Sequence, residues 1–151
     1  MAGQTLTQRQ AGQNWLLSCT DRPTAVQRAW NGEELAPFPT GQHWRVAEAP
    51  LLRSMTAMRR IGSERLGPVL ADVEEDRAWW LLPAEMGDEL DDVRQVTVHP
   101  PGWVLKCPPV LYHLNSRVWL ERPDGSGQLT DPVLLGAAFG PGGRLPAEAF
   151  G

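Results

Sequence analysis

Apolar residues in this chain come in short groups separated by glycine, proline and acidic turns, and the spacing inside each group predicts an element. Between Asp21 and Gly32, Val26 and Trp30 lie four apart on one side. Asp21 stands at the N-cap and Pro23 suits the first turn, so a short helix is expected that Asn31-Gly32 stops. Pro37 to Gly41 (PFPTG) reads as a loop. Trp44 and Val46 then alternate with Arg45 and Ala47 in the period of a half-buried strand. Pro50 opens a second helix with Leu51, Met55 and Met58 on one stripe, widened by Leu52. Arg53, Arg59 and Arg60 fall largely off that stripe, and Gly62 ends the helix.

Leu66 to Asp72 and Arg77 to Leu82 predict two strands joined by the acidic turn 73–76, a hairpin in which the adjacent Trp79 and Trp80 must face opposite sides. Val93 to Val98 and Gly102 to Cys107 suggest a second hairpin around His99-Pro100-Pro101, with Trp103, Leu105 and Cys107 on one face and Val104 and Lys106 on the other. Arg117 to Glu121 is a last strand, Pro123-Asp124-Gly125 a turn, and Asp131-Pro132 the cap and first turn of a closing helix that runs through Phe139. Residues 1–13 offer almost nothing to bury and are expected to form a flexible N-terminal arm, with a single domain over 14–139 and a flexible tail over 140–151. The sum is an α+β fold: a mostly antiparallel sheet with helices packed on it.

Composition sharpens this picture in a few places. The 151 residues suffice for one ordinary domain, and seven tryptophans supply a large area to bury. The basic residues are thirteen arginines and only Lys106, beside a single isoleucine, Ile61. That bias fits a GC-rich genome such as an actinobacterium. Cys19 and Cys107 are far apart and form no CxxC pair, which predicts reduced buried thiols rather than a disulfide framework or a zinc knuckle. With no signal-like N-terminus and no apolar run long enough to span a bilayer, a cytoplasmic protein away from membranes is expected.

Candidate chemistry is sparse. Nine of the eighteen acids crowd into residues 72–92, but without a calcium-loop spacing, so the run is expected to be a solvated acidic face. His43, His99 and His113 are scattered and show no zinc-ligand spacing. No phosphate-binding glycine loop occurs, and Gly140-Pro141-Gly142-Gly143 has no helix after it. The net charge of −4 gives nucleic-acid binding little electrostatic support. No catalytic residue, metal ligand or cofactor is assigned.

Three segments do resemble a known family. Trp44-Arg45-Val46-Ala47-Glu48-Ala49-Pro50 is the first. Gly67-Pro68-Val69-Leu70-Ala71-Asp72 with Arg77-Ala78-Trp79-Trp80-Leu81-Leu82-Pro83 is the second. Gly102-Trp103-Val104-Leu105-Lys106-Cys107-Pro108-Pro109 is the third, and Leu129-Thr130-Asp131-Pro132 adds to them. Over roughly residues 25–139 these are similar to the small primase-polymerase-like proteins common in Streptomyces, whose fold is of the archaeo-eukaryotic primase type. The resemblance implies two metal-binding acids near Trp44 and Val46, a nucleotide-contacting histidine near Ala78 and a third acid near Val96. All four positions carry other residues here, so the resemblance implies a degenerate site without polymerase or primase chemistry. Glu48 is the nearest acid, and one carboxylate does not make a two-metal site.

The expected function is therefore that of a non-catalytic, primase-polymerase-like domain that acts by binding. A protein is the first choice of partner, and a nucleotide or nucleic acid the second. If a nucleotide cleft persists, Arg45, Arg77 and Lys106 are its phosphate-binding candidates. The alternatives are an enzyme of another chemistry with Glu48 or one of the clustered acids as general base, and an acidic interaction protein using the 72–92 face.

Overall fold

In the computed structural model, which describes residues 6–140, the strand Arg77–Pro83 separates two apolar cores. Alternation along it sends Trp79 and Leu81 to one side and Ala78, Trp80 and Leu82 to the other, and all five are buried. The element order is α1 (Leu6–Leu17), α2 (Pro23–Asn31), β1 (Ala36–Pro39), β2 (Trp44–Pro50), α3 (Leu51–Ile61), β3 (Val69–Asp72), β4 (Arg77–Pro83), β5 (Thr97–Val98), β6 (Val104–Cys107), β7 (Arg117–Glu121) and α4 (Pro132–Phe139). Short 3-10 turns lie at Ser63–Arg65 and Asp88–Leu90.

Five strands make one sheet in the order β5-β2-β4-β3-β7 with every pairing antiparallel, and β1 and β6 make a separate antiparallel pair. β4 slots between β2 and β3, the two strands that α3 connects, which is a split β-α-β arrangement. The class is α+β, with a mostly antiparallel sheet. One core, built from Trp44, Val46, Leu70, Trp79, Leu81 and Trp119, is closed by α1, α2 and the β1–β6 pair. The other, built from Ala47, Val69, Ala78, Trp80 and Leu82, is closed by α3, α4 and Leu90. Among the described residues no helix is long and apolar enough to cross a membrane.

Several expectations need correction. Residues 6–13, assigned to a loose arm, lie in α1, which buries only Gly12 and Leu16. Gly12 sits so close to the loop after β7 that a Cβ there would run into the Pro123 carbonyl, and the Gln13 side chain accepts from Val110 N–H at 2.9 Å. α1 also sets Leu16 into the core with Trp15 and Leu17 against it, but these are neighbours at its C-terminal end, so no apolar period runs along the helix to be read. Residues 141–151 of the expected tail lie outside the described residues.

The Pro37–Gly41 loop is largely strand β1. Thr40 N–H donates to the Trp103 carbonyl, so by alternation Ala36 and Phe38 turn their polar groups to β6, and Pro37 and Pro39 face outward, where a missing N–H costs nothing. The hairpin expected over Val93–Cys107 does not form: β5 pairs with β2 and β6 with β1. The alternation read for β6 still holds, with Leu105 and Cys107 buried and Val104 and Lys106 exposed. Asp21 does not cap α2, whose N-cap position is Arg22. The other cap is as expected, since the Asp131 carboxylate accepts from Val133 N–H at 2.8 Å.

α3 presents a different face from the one its apolar stripe predicts. Ser54, Ala57 and Ile61 are buried, whereas Leu52 is 73% exposed. The reason is Trp80: its indole N–H donates to Ser54 Oγ at 3.0 Å, and small residues let the helix lie close over the ring. Arg60 then reaches across to the Ala138 carbonyl at 3.1 Å and ties α3 to α4.

Candidate functional site

Even spacing along β2 puts Trp44, Val46 and Glu48 on the same side of the sheet. The first two are packed into the core, and Glu48 reaches its rim. The strand register sets Glu48 opposite Trp79 and next to Thr97, and the chain that continues from β5 brings in His99. Arg77 Nε donates to Glu48 Oε2 at 2.9 Å, Trp79 Nε1 donates to Oε1 at 2.9 Å, and His99 Nε2 lies 2.8 Å from Oε1. The imidazole stacks on Trp103, rings 3.8 Å apart and 4° from parallel.

Burial by itself pulls the Glu48 carboxyl upward, but the bonds from His99, Trp79 and Arg77 and the nearby Arg77 charge outweigh it and leave the group below its ordinary range. Such a carboxylate is a hydrogen-bond hub and a poor proton acceptor.

A second polar group adjoins the first across the Trp79 ring. Arg117, on β7, lies over that ring with Cζ 4.3 Å from its centre and donates through Nε to Asp72 Oδ2 at 3.0 Å. Asp72 closes the β3–β4 turn by accepting from the Glu74 and Glu75 N–H groups at 3.1 Å each, and Ser116 Oγ donates to it at 2.7 Å. Burial works against the ionised form, yet the bonds from Ser116, Glu75 and Arg117 and the Arg117 charge hold its pKa down at about 2.

The phosphate-binding candidates do not converge. Arg45 points to the opposite side of β2 from Glu48 and donates to the Met86 and His99 carbonyls, each at 3.3 Å. Arg77 is committed to Glu48, and Lys106 projects from the exposed side of β6. The four positions where the resemblance implied metal and nucleotide ligands do not share a face either: Trp44 and Val46 lie in one core, Ala78 and Val96 in the other. Among the described residues no group of three or more His, Cys, Asp and Glu side chains stands together to hold a metal.

The clustered acids also differ from the solvated face expected of them. Asp72 is buried, and the other eight, though exposed, divide between the turn before β4 and the segment after it. A strand of this length holds the two groups roughly 20 Å apart. Both cysteines are free and buried, and burial pushes both thiols up, away from the thiolate a nucleophile needs. The Glu48–His99 pairing escaped the sequence because the partners are 51 residues apart and meet only through the β2–β5 pairing.

Comparison with known proteins adds little to this geometry. No family model and no solved structure matches the chain. Among curated proteins it is similar to polypeptide N-acetylgalactosaminyltransferase 9 of Homo sapiens and to the protein of the same name in Macaca fascicularis, 27% identical to each over 107 residues. The similarity takes in 65% of this chain, which spans only 16% of the length of those relatives.

Proposed function

We propose that this chain is a primase-polymerase-like domain without metal chemistry that acts by binding a partner, with a protein as that partner. The observation that carries the reading is the state of β2: Trp44 and Val46 are core residues, and Glu48, the nearest acid, has its oxygens occupied by three side-chain donors. A two-metal centre needs carboxylates free to neutralise the attacking and leaving oxygens, and this face offers none. A general-base role for Glu48 is opposed by its lowered pKa, since a base for neutral-pH chemistry needs a raised one.

A protein is favoured over a nucleic acid because the net charge is −4 and Arg45 and Arg77 are engaged within the fold. The likeness to an N-acetylgalactosaminyltransferase covers too small a part of that protein to carry an activity.

Incorporation of labelled nucleotides on a primed template with magnesium or manganese tests the reading. No incorporation above background is expected, and incorporation abolished by Glu48→Gln would overturn it.

A further inference from the structure

On the other side of the five-stranded sheet from Glu48, a groove of about 870 Å³ runs beside α4. Its size is that of a small-molecule site. The sequence of α4, Pro-Val-Leu-Leu-Gly-Ala-Ala-Phe, has no polar face. Leu135, Ala138 and Phe139 are buried in the fold, but Val133 is 58% exposed and lines the groove together with Ala137 and Val93. A surface helix ordinarily turns polar residues outward, so an apolar outer side along a cavity is a feature the fold itself does not require.

The rim supplies the polar recognition. Arg53 from α3 and Arg94 from the segment before β5 both line the groove, and among the described residues neither makes an ion pair or a side-chain hydrogen bond. Two acids share the rim. Glu89 turns its carboxylate back to accept from Gly87 N–H at 2.8 Å, which leaves Asp92 as the acid without such a bond. Both carboxylates keep their charge, so the rim is balanced overall. What it offers a ligand is the uncommitted N–H donors of two guanidiniums, which suit one carboxylate, while Glu89 and Asp92 disfavour a second negative charge.

We infer that this groove binds a small amphipathic monoanion, an aliphatic or aromatic carboxylate whose apolar body lies along α4 and whose carboxylate is held by Arg53 and Arg94. The site is separate from the Glu48 face, so the inference goes beyond the proposed function and does not depend on it.

Titration calorimetry with decanoate tests it, with decylamine and decanedioate as the cationic and dianionic counterparts. One-to-one binding of decanoate is expected with a Kd of about 0.1–1 mM, at least about tenfold tighter than either counterpart. Arg53→Met with Arg94→Met, both at exposed positions, should weaken decanoate by about tenfold or more, and Ala137→Trp should abolish binding by filling the groove. No saturable decanoate binding, equal binding of decylamine, or an arginine double variant that binds like the parent would each overturn the proposal. None of these results bears on nucleotide incorporation, which tests the other face.

Discussion

Removing the Asp72 carboxylate would leave Arg117, whose side chain is only 13% exposed, with just the Lys106 carbonyl and the exposed Glu75 as acceptors, and would also release the two N–H groups of the β3–β4 turn and the Ser116 hydroxyl. Breaking a buried pair from one side typically costs about 3–5 kcal/mol. Asp72→Ala is therefore expected to lower stability in urea unfolding by that order, and adding Arg117→Met should recover part of the loss, with the coupling read from a double-mutant cycle. A loss below about 1 kcal/mol would show that the pair does not hold the turn. At this scale the sequence is legible where alternation alone decides: Trp79 and Trp80 must part, and they do. It is illegible where polar residues meet across strands, as at Glu48 and His99 or Asp72 and Arg117, because charge pairing carries no period along the chain.

Elements show the same division. β2, the β3–β4 hairpin, β7 and α4 are readable because periodicity and turn residues agree, and α3 is readable in its bounds but not in the face it buries. β1 was obscured by the two prolines that make it a good edge. With Pro37 and Pro39 facing outward, that side of the two-stranded sheet has no N–H to offer another strand. Replacing both with threonine would restore two donors, and concentration-dependent self-association in analytical ultracentrifugation is the expected result. A variant that sediments like the parent at every concentration would remove this protective role from the prolines. The missed partners of β5 and β6 have a different cause. Both strands are short, and a stretch containing Pro100 and Pro101 satisfies the spacing of a hairpin turn and of a crossover between two sheets equally well.

For the whole molecule, the Asp72 environment fixes the sign of the acid response. Its folded pKa is about 2 against an ordinary value of 3.8, so its contribution is complete above about pH 5 and is lost as pH falls through 3.8 towards 2. The loss is about 2 kcal/mol, and the lowered Glu48 carboxyl acts in the same direction. Melting curves from pH 6 to pH 2 should show a falling melting temperature over that window, and Asp72→Asn should flatten the fall. The α+β class was legible from the mixture of periods, whereas the division into two cores depends on which strands pair and could not be read one segment at a time. The docking of α1 has a consequence for synthesis. A free twelve-residue helix is marginal in water, and the groups that α1 rests on lie far along the chain, Val110 N–H being 97 residues beyond Gln13. At translation rates of about 5–20 residues per second, α1 leaves the ribosome roughly 5–20 s before its docking site exists. The first described element to be made is therefore among the last of them to find its place, and the tryptophan core it covers stays open on that side until the segment from Val110 to Pro123 has been made.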